Sequence, residues 1–221
     1  LVASTPLLAS AGGTPTLATV LSTTSKALEK QTSVHVNVSS LADKVSSTVV
    51  ADIGEKSGTE TFTKGKESFT ITVTPAYAYL SGTPTGLTEI MGLTSAEQKK
   101  VGSASIAMKE GSTPYTTFKD NLTIGALTKL LPVQKGTTLL STRDKATNGY
   151  DIRWVTAASS DSPKTTTVMT ISSDKKSLPI KEVVTTSEGK SQTTFSKWGE
   201  NVEVAIPSST VAYGTIFPAK S

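Results

Sequence analysis

The side chains able to do chemistry are few in this sequence, and their spacing limits what they could do. It has one histidine, His35, and no cysteine. That leaves no material for a multi-histidine or cysteine-ligated metal centre, an iron–sulfur cluster, thiol catalysis or a disulfide scaffold. Carboxylates come close in sequence twice, Asp52 with Glu55 and Glu60 with Glu67, and two convergent carboxylates are what acid–base hydrolysis needs. Both pairs fall at hairpin turns or on polar positions of short alternating runs, where a solvated face is expected. There is no Gly-rich phosphate loop, no G-x-S-x-G elbow and no helix with metal-spaced His and Glu. Asn37-Val-Ser39 and Asn121-Leu-Thr123 match the glycosylation sequon, a match that 29 serines and 38 threonines among 221 residues produce by chance. The inventory points away from an enzyme, and no catalytic residue, metal or cofactor is expected.

Charge narrows the partners. The 22 basic residues exceed the 18 acidic ones, for a formal charge of +4, and a basic surface attracts phosphates. Only Arg143 and Arg153 are arginine, however, and the lysines are scattered, with two short pairs at Lys99-Lys100 and Lys175-Lys176. Reading bases and stacking on them depend on arginine and aromatic side chains, and aromatics are 5% of the chain. Nucleic acid is therefore not an expected partner; weak attraction to an anionic envelope surface is the milder consequence.

The elements that would position these residues follow from periodicity. Thr16 can cap a helix in which Leu17, Val20, Leu21, Thr24 and Leu28 recur at helical spacing. Val34, Val36 and Val38 then alternate with Ser33, His35 and Asn37, a half-buried strand with His35 on its polar face. Runs at 45–53, 59–63 and 68–73, separated by Gly54, Ser57-Gly58 and Lys64-Gly65, continue as an antiparallel meander. In the strand at 76–80, Tyr77 and Tyr79 share one face. From Gly86 to Leu131 the period of two gives way to two or three helices, one opened by the capping box Thr94-Ser-Ala-Glu97 and one running from Thr123 through Ile124, Leu127, Leu130 and Leu131. Strands are expected again at 137–142, 150–155, 165–171, 180–186, 191–197 and 202–206. Ten or eleven strands with no break in composition imply one domain on one large, curved antiparallel sheet, in a chain long enough to bury a core without cross-links. Such a sheet has an apolar inner face that inserted helices either cover completely, as an ordinary core, or cover partly, leaving an apolar pocket.

The first residues, LVASTPLLASAGGTPT, are small and uncharged and read as processing or linker sequence. Ala9-Ser10-Ala11 fits a signal-cleavage pattern, while Leu8-Ala9-Ser10-Ala11-Gly12 resembles a lipobox with alanine in place of the acylated cysteine. No run of 18 or more apolar residues occurs, so no transmembrane helix is expected. Residues 1–15 are taken as linker or leader remnant, 16–213 as the domain and 214–221 as a tail.

The final third resembles the actinobacterial LppX/LprG lipoproteins, which belong with LolA-like carriers. The resemblance rests on Leu178-Pro-Ile-Lys-Glu-Val-Val184, on Thr193-Thr-Phe-Ser-Lys-Trp-Gly-Glu200 and on Val202-Glu-Val-Ala-Ile-Pro207. The Leu122-Thr-Ile-Gly-Ala-Leu-Thr-Lys-Leu-Leu-Pro132 helix and the Tyr77-Ala-Tyr79 strand sit where that family places equivalent elements, so the likeness covers roughly residues 16 to 210. It implies an α+β fold: an incomplete, half β-barrel with helices on its concave face around an apolar cavity for acylated lipids. It also implies a non-enzymatic lipid-binding or lipid-transport protein in the cell envelope, secreted or lipid-anchored, with an acylated lipid or glycolipid and the envelope membrane as partners. A monomer is expected. The family's cavity residues diverge, so positions are nominated by parity and element: Val36, Phe69, Ile71, Tyr79, Ile90, Met91, Leu127, Leu131, Trp154 and Met169. The mid-chain helices or the loop Ser81-Gly-Thr-Pro-Thr-Gly86 would be the movable parts. The alternative is an envelope sensor or scaffold with the same fold and a filled core, working through a protein partner.

Overall fold

A computed structural model describes residues 15–125, 131, 137–144, 148–157 and 163–218. The expected leader features around Ala11, and Leu127 with most of the helix expected beyond Thr123, lie outside the described residues. Helix α1 (Leu17–Leu28) forms as its periodicity predicts: the Thr19 N–H donates to Thr16 Oγ1 at 3.2 Å, and Val20, Leu21, Thr24 and Leu28 are buried. Strands β1 (Ser33–Ala42), β2 (Val45–Gly54), β3 (Gly58–Lys64), β4 (Glu67–Val73) and β5 (Tyr77–Gly82) follow as antiparallel neighbours. Asp43 and Lys44 both take positive φ in the β1–β2 turn, the geometry that matches a tight hairpin to strand twist.

The middle of the chain then supplies α2 (Pro84–Met91), α3 (Ser95–Val101), β6 (Ser105–Lys109) and α4 (Thr113–Asn121). The capping box at α3 is present with both bonds: the Thr94 N–H donates to Glu97 Oε2 at 2.8 Å, and the Glu97 N–H donates to Thr94 Oγ1 at 3.3 Å. After β7 (Thr137–Asp144) come β8 (Gly149–Thr156), β9 (Thr165–Ser172), β10 (Pro179–Thr185), β11 (Gly189–Ser196), the short β12 (Thr210–Ala212) and α5 (Tyr213–Ile216).

All twelve strands form one sheet in the order β12-β6-β5-β4-β3-β2-β1-β11-β10-β9-β8-β7. It does not close on itself, so the α+β, half-barrel architecture expected from the sequence holds. Two antiparallel runs, β1 to β6 and β7 to β11, are joined where β1 pairs with β11. The register runs Ile106, Leu80, Ile71, Glu60, Ala51, Val36 and Phe195 along one face of the first half. It continues on the same face through Thr193, Glu182, Met169, Ile152 and Leu139. This is the concave face, and the helices pack there. Helices α2 to α5 cover a cluster that includes Phe69, Ile71, Leu80, Ile106 and Met108, while α1 covers Ile152, Met169 and Ile171. Between them lies a smaller cluster of Val34, Val36, Ala51, Ile53 and Phe195.

Two expectations are corrected. Residues 202–206 alternate like a strand but form none, because β11, the strand they follow, already has β1 and β10 on its two edges; Ile206 is exposed. Thr210–Ala212 takes a strand's place instead, pairing in parallel with β6. The loop expected at 81–86 is the end of β5 and the start of α2, with Thr83 as N-cap and Pro84 in the first turn, where its fixed φ suits a helix and its missing N–H costs nothing. Thr123 bridges Gly54, and Ile124 and Gly125 after it enter a tight helical turn.

Candidate functional site

The apolar concave face is incompletely covered where α2 and α4 meet the sheet. Helix α2 lies directly on β4: a Cβ on Gly86 would come within 2.3 Å of the Ser68 carbonyl oxygen, so only glycine permits the approach. Leu87, beside it, is buried. Helix α4 is anchored by Tyr115, which is 2% exposed and whose hydroxyl donates toward the carbonyls of Pro75 at 2.9 Å and Thr74 at 3.2 Å. The two helices are held apart by these separate anchors.

Between them opens a cleft of about 520 Å³. Its floor is Ile71 and Glu60, its walls are Ile90 and Met91 of α2 and Pro114, Thr117, Phe118 and Asn121 of α4, and Leu122 closes one end. The lining is chiefly apolar. Glu60 is its one ionisable group, and burial raises the Glu60 carboxyl above its ordinary range. A second carboxylate, Glu182, shares the concave face across β1 from Glu60, and burial raises it likewise. The sequence expectation that Glu60 lies on a solvated face is thereby corrected: its register partner is Ile71, which is 4% exposed.

The nominated cavity positions divide. Ile71, Ile90 and Met91 line the cleft, and Phe69 belongs to the same cluster, stacked on Phe62 with ring centroids 5.0 Å apart. Val36 sits in the central cluster, and Met169, Trp154 and Leu131 belong with α1. Tyr79 stands apart. Leu80 and Ala78 take the buried face of β5, so Tyr79 stacks with Tyr77 on the convex side at 5.8 Å; parity named the pair of faces, and only the register chose between them. Glu60, Pro114, Thr117, Phe118, Asn121 and Leu122 were not nominated. The helix-start signal of Ser112 and Pro114 could have placed α4, but its apolar stripe is too weak to reveal its face.

A polar cleft of about 350 Å³ lies elsewhere, at the ends of β1, β2 and β11, lined in part by Ser33, His35, Asp52, Lys197 and Glu200. His35 Nδ1 lies 2.7 Å from Asp52 Oδ1. The Ser33 hydroxyl donates to the Glu200 carbonyl and is buried, so it is not set against the imidazole as a nucleophile. Among the described residues no three His, Asp or Glu side chains gather as a metal site, and no helix is long and apolar enough to cross a membrane.

No family model matches the sequence, and no curated protein matches it. Solved structures do match in three dimensions. LprF from Mycobacterium bovis aligns with a TM-score of 0.54 at 15% identity, over 88% of this chain and 99% of that one. The Mycobacterium tuberculosis lipoprotein LppX aligns with a TM-score of 0.53 at 15% identity, over 86% of this chain and 100% of that one. The resemblance read from short motifs in the final third thus extends, at the level of fold, over most of the chain. What this chain shares with LprF and LppX is the fold, an open antiparallel sheet carrying its helices on the concave side.

Proposed function

We propose that this protein is a non-enzymatic lipid-binding protein of the cell envelope, which shelters the acyl chains of a lipid or glycolipid between the sheet and helices α2 and α4. The observation that carries the reading is the cleft of about 520 Å³ lined by Ile71, Ile90, Met91, Phe118 and Leu122. That size falls within the roughly 300–1,000 Å³ of small-molecule sites. Each methylene taken from water into such a lining contributes about 0.8 kcal/mol, so an acyl chain binds without specific polar contacts. The fold shared with LprF and LppX supports an extracytoplasmic carrier, and Ile90, Met91 and the other residues of α2 are the parts whose movement would admit and release cargo.

Native mass spectrometry of the purified chain, with organic extraction, together with titration of a fluorescent fatty acyl probe, tests the reading. Bound lipid, or saturable probe binding that Ile90→Trp weakens about tenfold by filling the cleft, is the expected result. An empty protein that also ignores the probe overturns it.

A further inference from the structure

A second cleft, of about 630 Å³, lies at the C-terminal end of α1 and is unlike the first. Lys26 in the last turn of α1 and Lys30 just beyond it face Lys175 and Lys176 from the β9–β10 turn, with Leu178 and Trp198 also in the lining and no carboxylate. The four lysines equal the whole formal excess of +4 carried by the chain. None of them forms a salt bridge among the described residues. Asp174, beside the pair, is turned into its own loop, accepting the backbone N–H groups of Lys176 at 2.9 Å and Ser177 at 3.3 Å. The Trp198 ring is fixed by donating Nε1–H to the Pro179 carbonyl at 3.1 Å and by stacking on Phe195 at 6.0 Å. Asp174 still attracts Lys176 through space, but the cleft carries a net excess of positive charge, and such charge, brought together from elements about 150 residues apart on an aromatic and aliphatic floor, is the composition of a surface that meets lipid headgroups. The β-ladder places it at the end of the sheet where β1 begins and β2 ends. Leu122, which closes the apolar cleft, packs over Gly58 at that same end.

We propose that this lysine cleft is a docking site for the phosphate headgroups of an anionic bilayer, through which the protein rests on the membrane with that end of the sheet toward it. The inference does not depend on what the apolar cleft holds.

The test is flotation of the full chain with vesicles of phosphatidylglycerol mixed with phosphatidylcholine, against phosphatidylcholine alone, at physiological ionic strength. The chain should float with the anionic vesicles only. A lysine at an anionic surface contributes roughly a fivefold factor, so K26Q/K30Q and K175Q/K176Q should each weaken binding by about tenfold or more, while K99Q/K100Q on α3 changes it less than about twofold. Thermal melting checks that each variant is folded. In a Trp154→Phe background, Trp198 emission should shift to the blue on anionic vesicles but not on added inorganic phosphate. Undiminished flotation of the lysine variants, equal loss in K99Q/K100Q, or a silent Trp198 would overturn the proposal. A response to inorganic phosphate equal to that of the vesicles would also overturn it, by making the cleft a free-phosphate site.

Discussion

Glu60 and Glu182 are the residues least at ease in this molecule. Each faces the concave side, each has its carboxyl raised by burial, and neither has a cation beside it among the described salt bridges. A carboxyl whose folded pKa is raised binds its proton more tightly in the folded state. The stabilisation from that proton is complete below the unfolded pKa and is lost as pH rises through the raised folded value. Glu60→Gln and Glu182→Gln should therefore raise Tm at neutral pH, by roughly a degree or two each because both groups keep contact with water. The gain should vanish as pH falls below the ordinary carboxylate range. Melting curves across that window check the sign; a variant that melts lower at neutral pH would show that the carboxylate is satisfied in the fold. No local pattern warns of either residue, because a lone Glu inside a strand, between threonines at Glu60 and between Lys181 and Val183 at Glu182, reads as the water-facing position until the partner strand is known.

Among the elements, α2 shows how the start of a helix reads as a loop and what holds it. The segment begins Ser-Gly-Thr-Pro-Thr-Gly, turn chemistry by composition, yet Thr83 caps it and Pro84 starts it. Gly86 is there for close approach: an added Cβ would sit 2.3 Å from the backbone oxygen of Ser68. Helix propensity alone makes Gly86→Ala favourable by up to about 1 kcal/mol, but the overlap must lift α2 from β4, and overpacking of this kind costs about 1–3 kcal/mol. Gly86→Ala should lower stability and widen the α2–α4 cleft, raising probe access. Gly214→Ala in α5, where nothing lies within 4 Å of an added Cβ, should be neutral or slightly stabilising. Denaturant melts of the pair decide it: equal effects would mean that propensity, not contact, governs both. Strands were easier to read than helices, since Val34-Val36-Val38 and Phe69-Ile71-Val73 state their own alternation. Residues 202–206 show the limit, for alternation is necessary to a half-buried strand but a free edge within reach is also required, and β11 has none.

For the molecule as a whole, the pairing of β1 with β11 is what makes one sheet of two halves. It links two meanders from opposite ends of the chain, and its buried contact is Phe195, 5% exposed among Val34, Val36, Ala51 and Ile53. Phe195→Ala should cost about 3–5 kcal/mol and, because the sheet is continuous, should lower hydrogen-exchange protection in β2 and β10 together. Protection lost on one side only would mean that the two halves are stable separately. The sequence by itself determined the strand-rich α+β class, the hairpin turns, the cap of α1 and the capping box of α3, because these depend on residues within a few positions of one another. It also determined that inner faces are apolar. Only the tertiary structure decided which face of β5 is inner, that Glu60 and Glu182 share the concave side, and that α2 and α4 leave a cleft between them. Lysines from positions 26, 30, 175 and 176 likewise meet only in three dimensions. The physical reason is that register and helix docking are set by long-range pairing, in which a shift of one residue exchanges every inward side chain for an outward one, and no local pattern records the partner.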